Sequence, residues 1–85
     1  MKLRVEIISP EGYHFNGEVE NCYFRTPLGE MGVLAGHCSF LVLVEEGKVI
    51  LDKGAAEKVF EVQRGIAYKL DEPLTVLVEG CKGVS

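Results

Sequence analysis

Apolar residues recur at every second position along most of this chain. Leu3, Val5 and Ile7 alternate with Arg4 and Glu6, the pattern of a strand with one buried face. Ser9-Pro10-Glu11-Gly12 ends it as a turn, because proline fixes φ and glycine supplies the positive φ of a tight reversal. A short strand at 13–15 follows, and Asn16-Gly17 then predicts a hairpin. Residues 19–25 read as the next strand, with a bulge where the alternation slips near Asn21 and Cys22. Thr26-Pro27-Leu28-Gly29 predicts another turn. Gly29-Glu30-Met31-Gly32-Val33-Leu34-Ala35-Gly36-His37 spaces glycines among short apolar runs and reads as a functional loop around a very short strand. Phe40-Leu41-Val42-Leu43-Val44 is apolar at every position, as expected of a strand covered on both faces. Strand patterns at 48–51, 59–62, 66–70 and 74–78 complete the series. Only Ala55-Ala56-Glu57-Lys58 offers helix formers, too few for a helix that stands alone in water. Short strands with turn signals about every 8 to 12 residues predict an all-β fold. The form expected is a flattened β-sandwich or barrel of about ten short strands with no long helix. The sandwich is assigned to 1–80, and 81–85 reads as a short C-terminal tail without periodicity.

Length and charge narrow the function. The 85 residues suffice for one core and not for two. An apolar share of 47% marks a packing chain and not a disordered one. Thirteen acidic against nine basic residues give a formal charge of −4, which disfavours nucleic acid and anionic lipid as partners. No apolar run approaches the roughly 18 residues of a membrane helix, and no signal-peptide pattern is visible. The expectation is a soluble, acidic, intracellular domain. Cys22, Cys38 and Cys81 form an odd set without a CxxC pair, so they read as buried free thiols in a reducing compartment.

Candidate chemistry is thin. His37 beside Cys38 suggests a nucleophile and base, but neighbours on a strand point to opposite faces, and His14 would have to arrive from elsewhere. Neither a nucleophile elbow nor a phosphate-binding loop occurs. His14, His37 and the cysteines lack metal-ligand spacing. Glu18, Glu20, Glu45 and Glu46 read as solvated faces and turn residues. No catalytic residue, metal ligand or cofactor is therefore expected, and the pattern describes an interaction module. Its functional segment is the glycine-rich stretch 29–37, with Glu30 and His37 suited to charge-assisted hydrogen bonds. The alternative is a free-standing small β-sandwich that binds proteins.

At this stretch a resemblance emerges. The blocks Leu3-Arg4-Val5-Glu6-Ile7-Ile8-Ser9-Pro10-Glu11-Gly12, Phe15-Asn16-Gly17-Glu18-Val19-Glu20 and 29–37, then Gly65-Ile66 and Leu74-Thr75-Val76-Leu77-Val78-Glu79, resemble the N-terminal β-sandwich domain of the F-type ATP synthase epsilon subunit. The similarity covers residues 3–80. Ala35 stands where that family commonly has proline, Arg64 where it often has glycine, and Cys38-Ser39-Phe40 where it has Ala-Pro-Leu. The helical hairpin that usually follows the sandwich has no counterpart before Ser85, so neither helix-based inhibition nor ATP binding is expected of this polypeptide.

The resemblance implies a non-catalytic rotor component at the foot of the central stalk, between the gamma subunit and the polar loops of the membrane c-ring. It would help couple ion translocation to ATP synthesis, peripherally on the cytoplasmic face of the cell membrane. Contact with the membrane would be indirect, through the complex. The matched positions Glu30 and His37 are expected to face the c-ring loops and the base of gamma. Gly29, Gly32 and Gly36 are expected to shape the loop, and gamma to use a sheet face and an edge. On this reading Glu30→Lys weakens attachment to the c-ring without unfolding the domain. Co-sedimentation with the membrane-bound complex checks it, with a thermal melt as control.

Overall fold

The structure, a computed structural model, describes residues 1–36 and 39–84. The alternating pattern yields ten strands among these residues: β1 (Leu3–Ser9), β2 (Gly12–Val19), β3 (Asn21–Thr26), β4 (Gly29–Leu34), β5 (Phe40–Val44), β6 (Gly47–Leu51), β7 (Lys58–Val62), β8 (Gly65–Lys69), β9 (Leu74–Val78) and β10 (Cys81–Gly83). They form two five-stranded sheets, ordered β2-β1-β9-β8-β5 and β10-β7-β6-β3-β4. β1 and β9 run parallel, with Val5 opposite Leu74 and Ile7 opposite Val76, and the other pairs are antiparallel.

Period two sends every second side chain of both sheets inward. Val5, Ile7, Leu74 and Val76 from the first sheet share one core with Phe24, Val33, Val49 and Leu51 from the second. Phe15 and Phe60 close one side of that core edge to face, their ring centroids 6.3 Å apart. The result is the expected all-β sandwich, with no helix among the described residues.

Several local expectations fail for physical reasons. Asn16 and Gly17 do not turn; they lie within β2, opposite Glu6 and Val5. The reversal is made earlier, where Ser9 faces Gly12 across Pro10 and Glu11. The bulge falls at His14, where the register steps from Ile7 opposite Phe15 to Ile8 opposite Tyr13. There the His14 Nε2 lies 2.6 Å from Ser9 Oγ. The slipped alternation near Cys22 marks the chain leaving the first sheet at Val19 and entering the second at Asn21.

Two strands were hidden by composition. Gly29–Leu34 of the glycine-rich stretch form the six-residue edge strand β4. Residues 81–83, too few to show a period, form β10 against β7, with Cys81 opposite Val62. Conversely, β5 is not covered twice. It is an edge strand whose Phe40 and Val42 pack on the core, while Leu41 and Leu43 are 67% and 58% exposed.

The cysteines divide in the same way. Cys22 is buried and Cys81 only partly so, both as free thiols, and Cys38 lies outside the described residues. Burial pushes the Cys22 thiol up from 9.0 to about 12.

Phe24→Ala should cost about 3–5 kcal/mol through transfer and cavity terms, and Leu41→Ala less than about 0.5 kcal/mol, both read by urea denaturation. The neutral Cys22 thiol favours the folded state below pH 9, and that advantage fades as the pH climbs toward 12. Melts at pH 8 and pH 10 should therefore show a larger alkaline loss for the parent chain than for Cys22→Ala.

Candidate functional site

The outward faces of the two sheets differ in chemistry. On the first, the register aligns Tyr13, Ile8, Leu77, Ile66 and Leu43 in one row across all five strands. At about 4.8 Å per strand the row runs roughly 19 Å. The next row holds Asn16, Glu6, Thr75, Tyr68 and Leu41. Here Thr75 Oγ1 donates to Glu6 Oε1 at 3.3 Å. Tyr13, Leu41 and Leu43 are largely exposed, so this is an apolar surface left open.

The second sheet carries charged pairs beside an apolar row of Tyr23, Ile50 and Val59. Arg25 stands opposite Glu30, and Lys48 opposite Glu61, which in turn faces Lys82. All five side chains are exposed. These charged pairs are satisfied by water and suit polar partners.

Between the faces lies the tip of the β3–β4 hairpin. Thr26 Oγ1 donates to the Gly29 carbonyl at 2.8 Å and accepts from the Leu28 N–H at 3.1 Å. That closed turn leaves Leu28 fully exposed. Thr26, Pro27, Leu28, Val42 and Leu43 line an apolar hollow of about 210 Å³ beside it.

Glu30 sits in β4, two residues behind this tip. Its Oε1 lies 3.4 Å from Lys53 Nζ, which is also 4.8 Å from the centroid of the Tyr23 ring. Tyr23 stands opposite Gly32 in the ladder. A Cβ at Gly32 would come within 2.5 Å of the Tyr23 ring, so glycine there makes room for the aromatic side chain. Gly29 and Gly36 have φ of +119° and +84°, backbone that L side chains rarely adopt. Gly32 has no such angle and lies within the strand. His37, singled out beside Glu30, lies outside the described residues.

Lys53, Tyr23 and the outer apolar row were missed by the sequence reading. Lys53 follows a different strand from Glu30, and no local pattern joins them. The apolar row did leave a signal: the second apolar face of β5, attributed to double coverage, belongs to an open surface.

Another cleft is open and lined in part by Glu11, Glu46, Glu61, Glu79 and Cys81. No group of three or more His, Cys, Asp or Glu side chains able to hold a metal ion occurs among the described residues. His14 is engaged by Ser9. What the geometry offers is broad contact: a sandwich with an apolar row across its first sheet, charged pairs on its second and a shaped tip between them. That is the form of a docking subunit.

Known proteins place this form. The sequence model of the family described as ATP synthase, Delta/Epsilon chain, beta-sandwich domain matches residues 2–83. The chain is 41% identical over 78 residues to the ATP synthase epsilon chain of Caulobacter vibrioides, covering 92% of this chain and 91% of that one. It is 35% identical over 82 residues to the epsilon chain of Persephonella marina, covering 95% of this chain but only 60% of that relative. A chain in the mitochondrial ATP synthase structure of Euglena gracilis (OSCP/F1/c-ring) superposes with a TM-score of 0.87 at 20% identity, over 96% of this chain and 53% of that chain. One in the central stalk/c-ring structure of Tetrahymena thermophila gives 0.80 at 13% identity, over 96% of this chain and 66% of that chain. The last two likenesses concern the fold. The chain belongs to the ATP synthase delta/epsilon β-sandwich family.

The site geometry yields a prediction. Asp52 has a φ of 56° and accepts the Glu20 N–H at 2.6 Å through Oδ1. Asp52→Ala should cost about 1–2 kcal/mol, from left-handed strain and a lost charge-assisted bond. Asp52→Gly should cost less because it relieves the strain; urea denaturation of both variants checks the order.

Proposed function

We propose that this chain forms the foot of the central stalk, with the gamma subunit on the outer face of the first sheet and the polar loops of the membrane c-ring at Glu30. In this position it transmits rotation between ring and gamma, and so helps couple ion translocation to ATP synthesis. It lies peripherally at the cytoplasmic face of the membrane and meets the bilayer only through the complex. No helix among the described residues is long and apolar enough to cross a membrane.

The observation that carries this reading is the apolar row across all five strands of the first sheet, where the shorter apolar row of the second is flanked by charged pairs. A continuous apolar row across five strands suits a folded partner that stays bound, because its burial removes that surface from water. Loops that face water are polar and are better met by charge. A stiff sheet between the two contacts transmits load without deforming, since close-packed interiors have low compressibility.

The test is reconstitution with gamma followed by sizing. The parent chain should form a stoichiometric complex. A carboxylate placed in the row by Leu43→Glu or Ile66→Glu should weaken it by at least about a hundredfold, the effect of an uncompensated buried charge. Leu43→Glu should leave the isolated domain within about 0.5 kcal/mol of the parent stability, since Leu43 is 58% exposed. A parent chain that remains monomeric beside gamma would instead favour a free-standing binding module.

A further inference from the structure

Lys53 is an unusually constrained surface lysine. Its own N–H donates to Asn21 Oδ1 at 2.9 Å, and the preceding Asp52 N–H donates to the Asn21 carbonyl at 3.1 Å. Asp52 also receives the Ala55 N–H on its carbonyl at 3.1 Å and the Glu20 N–H on its carboxylate at 2.6 Å. The root of the side chain is thus tied to the crossing between the sheets. Its ammonium lies 4.8 Å from the Tyr23 ring centroid and 3.4 Å from Glu30 Oε1. Gly32 leaves the space that the ring occupies.

An exposed pair of this kind adds little to folding. The two side chains are 43% and 50% exposed, and such pairs are typically worth under about 1 kcal/mol. Holding an ammonium by backbone ties and an aromatic face instead limits the entropy lost when a partner docks. A docking group also meets a paired carboxylate and ammonium, not a lone anion.

We propose that Lys53 is a second recognition residue at the contact assigned above to Glu30, and that Tyr23, with the clearance given by Gly32, is its positioning residue. The inference rests on the reading of Glu30 as a c-ring contact. The complementary partner presents a donor to Glu30 and an acceptor to Lys53 side by side. A purely basic loop is disfavoured because it would have to displace Lys53.

The experiment is rebinding of the full chain to ATP synthase stripped of this subunit, with affinity measured at several salt concentrations and thermal midpoints as folding controls. Lys53→Gln should weaken binding about fivefold, near the upper end for an exposed charge pair, and should flatten the salt dependence. Tyr23→Leu should reproduce that loss, whereas Tyr23→Phe, which keeps the ring, should bind like the parent. Exchanging the charges by Glu30→Lys with Lys53→Glu restores an internal pair but reverses its direction, so binding should stay weak. Parent-like binding by the exchanged variant overturns the proposal, because internal pairing alone would then be enough. Parent-like binding by Lys53→Gln while Glu30→Gln is weakened also overturns it, and leaves Glu30 as the contact. If Glu30→Gln too binds like the parent, the assignment of Glu30 fails as well.

Discussion

The parallel pairing of β1 with β9 holds the molecule together. It places Val5 beside Leu74 and Ile7 beside Val76, and these four side chains have no exposed surface. Without it the first sheet would separate into a β1–β2 hairpin and a β9-β8-β5 strip, and neither could cover the second sheet. The same pairing makes the outer apolar row continuous, because Ile8 and Leu77 are its middle members. Core and outer apolar row are therefore two faces of one set of strands. A residue that fits the ladder serves both.

The two outer faces divide the work by solvation. An apolar row gains by losing water, which favours a contact that persists. Charged rows remain solvated and contribute through orientation and selectivity more than through bulk affinity. The Glu30–Lys53–Tyr23 group sits on the charged side and is ordered before any partner arrives. Its anchoring comes from Asn21 and Asp52, at the point where the chain changes sheets. A topological necessity of the sandwich thereby fixes the root of Lys53.

Most of the fold was legible because period two is a strong signal: the runs of β1, β6, β8 and β9 appear in the sequence nearly as they occur in the structure. What was hidden depended on partners distant along the chain. Asn16-Gly17 has the composition of a turn, yet pairing with Glu6 and Val5 keeps it extended. Gly32 resembles loop glycine because its reason, the Tyr23 ring, lies on another strand. The apolar run of β5 suggested burial, since a sequence does not distinguish cover by its own chain from an uncovered surface. Glu30 was identified as a candidate from its local block, but Lys53 carried no mark of its association with it. Resemblance to a family supplies motif positions, and only the folded arrangement supplies their neighbours.

The β1–β9 pairing also bears on how the chain is made. β1 is synthesised well before β9, its neighbour in the middle of the sheet, so the two edges that must join are separated by strands β2 to β8. Pairings of such high sequence separation are slow to close, because the loop entropy is lost before the contacts form. Until β9 emerges, one edge of β1 lacks its sheet neighbour, an interval in which a nascent chain is open to non-native strand pairing. A sandwich that is rigid once its sheets have closed is thus most vulnerable on the ribosome, before β9 exists.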